Sequence, residues 1–194
     1  MKNRFWKSAL NPFERIAGVK ALLWGLAAMV VSTVISYFSG WHYHGMLHFG
    51  PAPNNEWWCY AVEHLTVWLV PAVVFYIGGR ILSPSRIRLS DVFGTTAFAQ
   101  IPLLLMGVVS FLPPMQALNG LTEQNALQAV TQPWFMMAMF LSVFVVVVIA
   151  INIVWMYNAL KVSCNLSGYK LRVFFIVAYI GCDVACRYII AACY

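Results

Sequence analysis

All four histidines, His42, His44, His48 and His64, fall in one stretch that also carries Glu56, Cys59 and Glu63. Imidazole is the commonest side-chain ligand of zinc and copper, and three imidazoles with a carboxylate make an adequate shell. His42, His44, His48 and Glu56 are therefore the candidate set for an ion at the outer surface. Their spacing argues against it. Trp41-His42-Tyr43-His44 followed by Gly45-Met46-Leu47-His48 matches no metal motif. On a helix, His44 and His48 would share a face while His42 pointed elsewhere. An aromatic, interfacial loop is the favoured reading, and no cofactor is expected.

Three ionisable residues, Glu63, Asp183 and Arg187, sit inside long apolar runs. Facing lipid at mid-depth, each would cost roughly 2.5–3.5 kcal/mol, so each must face the bundle interior. Asp183 and Arg187 are four positions apart and share a helical face. Counting helical rise places Glu63 and Arg187 at nearly the same depth. The expected arrangement is a cluster in which Arg187 bridges Glu63 and Asp183. Its favoured role is to fix helix pairing; its alternative role is a proton or ion relay. Gln100, Asn152 and Asn158 are the candidates for hydrogen bonds between helices.

The remaining chemistry is sparse. Five cysteines form no CxxC pair; Cys182 and Cys186 share a helical face and read as packing residues, while Cys59 and Cys193 are placed to meet near the outer surface. HExxH, GxSxG, the P-loop and the Gly-rich dinucleotide turn are all missing, and no catalytic constellation is left, so an enzyme is not expected.

These residues must be held by elements that suit an unusual composition. The chain has 194 residues, 62% of them hydrophobic and 9% charged. Soluble domains run at about 45–50% and about 25%, so the exterior itself must be apolar and its natural solvent is lipid. The expected fold is all-α: a polytopic transmembrane bundle over 19–194, entered from an interfacial segment 1–18. Runs long enough for about 30 Å of hydrocarbon cover about 19–38, 57–77, 91–112, 134–160 and 171–193. Asn11-Pro12-Phe13-Glu14 reads as a helix start that runs on into the first span, with Asn11 as cap and Glu14 at the capping-box position. Gly40 ends that span, Ser90 caps the third, Pro71 and Pro102 predict kinks, and Pro113-Pro114 closes the third span. A short surface helix is expected within 121–130.

Basic residues fix the orientation. Lys2, Arg4, Lys7, Arg15 and Lys20 precede or open the first span; Arg80, Arg86 and Arg88 follow the second; Lys161, Lys170 and Arg172 lie between the fourth and fifth. Eleven of the 12 basic residues thus fall on one side, with Arg187 the exception. The N-terminus is expected in the cytoplasm and the C-terminus outside, with Trp41, Trp57, Trp58 and Trp134 at the outer interface and Trp6 and Trp155 near the inner one. The formal charge of +6 is dispersed over loops and forms no nucleic-acid stripe.

Asn11-Pro12-Phe13-Glu14-Arg15-Ile16, the proline-bearing Ala97-Phe98-Ala99-Gln100-Ile101-Pro102-Leu103, and Trp155 through Ala159-Leu160-Lys161 to Leu166-Ser167-Gly168-Tyr169-Lys170 resemble the Yip1 domain family of five-helix membrane proteins. The resemblance implies a multi-pass membrane protein. Eukaryotic members are associated with Rab-type GTPases, vesicle formation and membrane shape through a long cytosolic N-terminal region. Residues 1–18 stand in its place here, so the resemblance is to a bacterial-type member of the inner membrane. It transfers no functional residue. The expected function is a non-enzymatic scaffold that organises the bilayer or binds a protein partner on its basic cytoplasmic face. The alternative is a small transporter or channel subunit using Glu63, Asp183 and Arg187.

Overall fold

Five apolar stretches form helices long and apolar enough to cross a membrane. The structure, a computed structural model, describes residues 10–53, 56–122 and 124–194. Lys2, Arg4, Trp6, Lys7 and Glu123 lie outside the described residues. The first span is α1 (Gly18–Ser39) and the second α2 (Trp57–Leu82); between them lie two short strands, β1 (Trp41–Tyr43) and β2 (Phe49–Pro51). The third span is broken into α3 (Leu89–Phe98), a 3-10 turn at Ile101–Leu103 and α4 (Leu104–Ser110). Short helices α5 (Pro113–Leu118) and α6 (Ala126–Ala129) lead to the fourth span, α7 (Pro133–Ser163), and the fifth, α8 (Gly168–Ala191). α2 runs five residues beyond its expected end. It stops at Ser83, whose extended backbone is the conformation required before Pro84.

The third span is the middle of the bundle: 72% of its apolar window is buried, against 22% for the fourth. Residue size explains the difference. The buried face of α1 carries Ala21, Gly25, Met29, Ser32 and Ser36, and it meets the small residues of α3. A Cβ added to Gly25 would lie 2.4 Å from the Ala97 carbonyl carbon, and one on Gly94 2.2 Å from the Gly18 oxygen. Small residues bring two backbones this close, which is how helices associate where lipid removes the hydrophobic drive. On α7, Phe140, Val143 and Val146 face outward, as expected of a surface solvated by hydrocarbon.

Two prolines open gaps in the helical ladder, and side chains from neighbouring helices fill them. Pro71 has no N–H to offer the carbonyl of Val67, four residues back; Gln100 Nε2 donates to that oxygen at 3.1 Å. At Pro102 the ladder tightens, and the Leu103 N–H bonds to Gln100 O rather than Ala99 O. Asn152 Nδ2 on α7 donates to the freed Ala99 oxygen at 2.7 Å, and Tyr179 on α8 donates to Asn152 Oδ1 at 3.3 Å. Gln100 and Asn152 thus link the second, third, fourth and fifth spans at mid-depth.

Several local expectations are corrected. Asn11 caps no helix; its Nδ2 donates to Glu14 Oε1 at 3.0 Å. Pro12–Glu14 form a single 3-10 turn, and Ile16 and Ala17 are not helical before Gly18, whose φ of 61° starts α1 afresh. The turn carries Phe13 between α3 and α7, edge-on to Phe98 and Trp155, which stack on each other at 5.7 Å. Asn158 Nδ2 holds the turn through Leu10 O at 2.9 Å. Ser90 lies inside α3, and the cap position belongs to Arg88. The surface helix expected within 121–130 shrinks to Ala126–Ala129. Arg15, Lys20, Arg80, Arg86, Arg88, Lys161, Lys170 and Arg172 are all exposed at the end where α1 and α3 begin, the basic end. The two strands mark the other, hairpin end.

Candidate functional site

Gly40, with φ of 68°, ends α1 and turns the chain back toward the bundle. Trp41, His42 and Tyr43 then pair antiparallel with Pro51, Gly50 and Phe49, and the His44 N–H closes the tip on His48 O at 3.0 Å. The segment expected to be an interfacial loop is thus a hairpin seated between the spans. Trp41 is 4% exposed, His42 1% and Tyr43 2%, so Trp41 is an interior residue rather than a member of an interfacial aromatic belt.

The hairpin takes up the intramembrane acids one by one. His42 Nδ1 is hydrogen-bonded to Glu63 Oε2 at 3.0 Å, and Tyr194 donates to the same oxygen at 3.2 Å. Asp183 Oδ1 accepts the backbone N–H groups of Met46 and Leu47 at 2.8 and 3.0 Å, while Oδ2 accepts Arg187 Nε at 3.0 Å. Gly45 makes that approach possible, because a Cβ there would lie 2.8 Å from Asp183 Oδ1. The Arg187 guanidinium reaches on to His48 Nε2 at 2.7 Å. The expected bridge from Arg187 to Glu63 does not form among the described residues. Asp183 and Arg187 pair within α8, Glu63 pairs with the hairpin, and the hairpin connects them.

Behind Glu63 a second polar chain runs inward. His64 Nδ1 lies 2.7 Å from Tyr60 O, and a carbonyl can only accept, so the proton is on Nδ1 and Nε2 accepts the Ser32 hydroxyl at 2.8 Å. Tyr43 stands edge-on to His64 and donates to Leu103 O at 3.3 Å. A cavity of about 10 Å³, room for one water, touches Ser32, Tyr43, His64 and Gln100. On its other side His64 borders an open apolar groove of about 450 Å³ between α1 and α2. Among the described residues, Glu63 Oε1, His42 Nε2 and Trp41 Nε1 are buried without a hydrogen-bond partner, with His64 Nδ1 3.7 Å from Glu63 Oε1.

The metal candidates do not form one ligand set, although the His42 and His44 rings lie 4.0 Å apart. His42 is engaged by Glu63, His48 by Arg187, and Glu56 lies at the exposed start of α2. Among the described residues no three His, Cys, Asp or Glu side chains could hold one ion. Burial, reinforced by His44, lowers the His42 pKa to about 3, and burial followed by His48 and Arg187 lowers that of His44. Both rings are held neutral, as hydrogen-bonding partners rather than charges. Cys59 and Cys193 are neighbours, with Cys59 Sγ 3.1 Å from Cys193 O, and both are free thiols.

The hairpin is not apparent from the sequence because its strands are three residues long and its anchors are up to 139 positions away. The available signal was Gly40, Gly45, Gly50 and Pro51, a density of turn residues that suits doubled-back chain better than helix. No curated protein and no solved structure matches the chain. The family model described as Yip1 domain matches residues 6–184, which take in the Asn-Pro-Phe turn, the hairpin and all of the first four spans. With nearly the whole chain covered by that model and five helices able to cross a bilayer, the chain is a multi-pass membrane protein of the Yip1 domain family.

Proposed function

We propose that this protein is a non-enzymatic scaffold of the bacterial inner membrane, with its N-terminus and basic end in the cytoplasm, and that it organises lipid or binds a partner there. The observation that carries the reading is the way the hairpin engages Glu63, Asp183 and Arg187 with protein groups. A transporter needs its charged groups to meet water and cargo; here Glu63 is 0% exposed and the cavity beside His64 has room for a single water. The exposed Lys and Arg at the basic end supply the working surface, at about 1 kcal/mol of attraction to anionic headgroups per nearby charge.

Reconstitution into liposomes with proton and monovalent-ion readouts tests this. Wild type and Glu63→Gln are both expected to leak no faster than empty vesicles. A flux in wild type that Glu63→Gln abolishes would replace the scaffold with the transporter reading.

A further inference from the structure

The basic end is not uniform. Around the start of α1 and α3, the segments that carry Arg15, Lys20 and Arg88 also carry two carboxylates: Glu14 in the 3-10 turn, and Asp91, whose Oδ1 is 3.2 Å from the position a Cβ on Gly18 would take. The other side is built from the end of α2, the α2–α3 connection and the α7–α8 turn. These segments touch: Asn165 Nδ2 donates to Ser85 Oγ at 3.3 Å, Cys164 lies against Gly79, and Phe174 lies against Gly78. They carry Arg80, Arg86, Lys161, Lys170 and Arg172, all exposed, and no carboxylate.

We infer that this acid-free lobe is a binding site for the phosphate headgroup of an anionic phospholipid. The inference rests on the membrane-organising reading and names its partner. Five uncompensated cations at the ends of three spans lie at the depth where headgroup phosphates lie, and like charges brought together there repel until an anion joins them. Tyr169, 74% exposed between them, presents the amphipathic ring that favours this layer. Ile81, 75% exposed on α2, gives the lobe an apolar edge for the acyl chains. The mixed-charge side sets two carboxylates against its three cations, so its excess of positive charge is one where the acid-free lobe has five.

The test is titration of the purified full-length protein in neutral detergent with a fluorescent phosphatidylglycerol, with phosphatidylcholine and inorganic phosphate as separate arms. Phosphatidylglycerol is expected to bind saturably, phosphatidylcholine at least about tenfold more weakly, and millimolar phosphate not to displace it. Lys170→Gln/Arg172→Gln should weaken phosphatidylglycerol roughly tenfold or more, and Arg80→Gln/Arg86→Gln similarly, whereas Arg15→Gln/Lys20→Gln should change it less than about twofold. All six positions are exposed, so folding is not at stake. Equal losses in the three variants, or equal binding of the two lipids, would overturn the site; displacement by phosphate would make it a free-anion site instead. A silent liposome assay with no lipid preference removes this site and leaves the scaffold, while an ion flux removes the scaffold whatever the lipid does.

Discussion

At each end of the bundle a segment of chain folds back between the spans, and the two do it with opposite chemistry. At the basic end, Phe13 enters an aromatic stack with Phe98 and Trp155, a contact that needs no charge and has no titratable member. At the hairpin end the insertion is polar: His42 on Glu63, two backbone N–H groups on Asp183, and His48 on Arg187. An aromatic plug gains from burial alone. A polar plug must satisfy every group it desolvates, and here Glu63 Oε1, His42 Nε2 and Trp41 Nε1 remain without partners, each costing about 1–3 kcal/mol if left dry. The turn at the basic end leaves one such atom, Asn11 Oδ1, against three in the hairpin end, so the hairpin is the more specific and the more marginal closure.

The largest effect that would expose this difference is expected from Asp183→Ala. It removes the acceptor of two backbone N–H groups and one guanidinium bond, and we expect a loss of about 4 kcal/mol; the half-exposed Arg187 can turn to water and adds little. Thermal unfolding in detergent should show the loss, with the hairpin becoming protease-sensitive before any other connection. Phe13→Ala should cost about 3 kcal/mol through the cavity it leaves, and should leave hairpin protection as in wild type. If Phe13→Ala frees the hairpin too, the two ends are one cooperative unit and the contrast fails.

Gln100→Leu and Asn152→Leu act between the ends. Each uncovers a carbonyl that a proline had left open, and each should lower stability by about 1–2 kcal/mol, the upper range for such bonds in membranes. Restoring the helical donor with Pro71→Ala in the Gln100→Leu background should recover most of that loss.

The smallest effect near neutrality is the pH response of His42. Its pKa of about 3 in the folded chain lies below the ordinary 6.5, so the unfolded state binds the extra proton. The stabilisation is complete above about pH 6.5 and is lost progressively as pH falls toward about 3. Trp41 fluorescence should report loosening in that window, Trp155 fluorescence should stay flat, and His42→Gln should remove the slope.

What the sequence disclosed followed the same division. Hydropathy and basic-residue spacing are local properties, so the five spans could be located from them, with α2 misjudged only because nothing but Pro84 stops it. The Asn-Pro-Phe segment carries helix-start residues, yet it continues as a turn that seats Phe13 edge-on against the stacked Phe98 and Trp155, a contact no local pattern announces. Equal depth would join Glu63 to Arg187 only across an empty bundle mouth. The loop between the first two spans returns to fill that mouth, and local sequence does not show it because the bonds that hold it come from residues far along the chain.

A double-mutant cycle on chain stability tests the central claim, that the hairpin, together with Tyr194, and not Arg187 answers the buried carboxyl group of Glu63. His42→Ala and Glu63→Leu should be coupled by about 1 kcal/mol or more, while Arg187→Ala and Glu63→Leu should be additive within roughly 0.5 kcal/mol. Additivity for His42 and Glu63 together with coupling for Arg187 and Glu63 would contradict it.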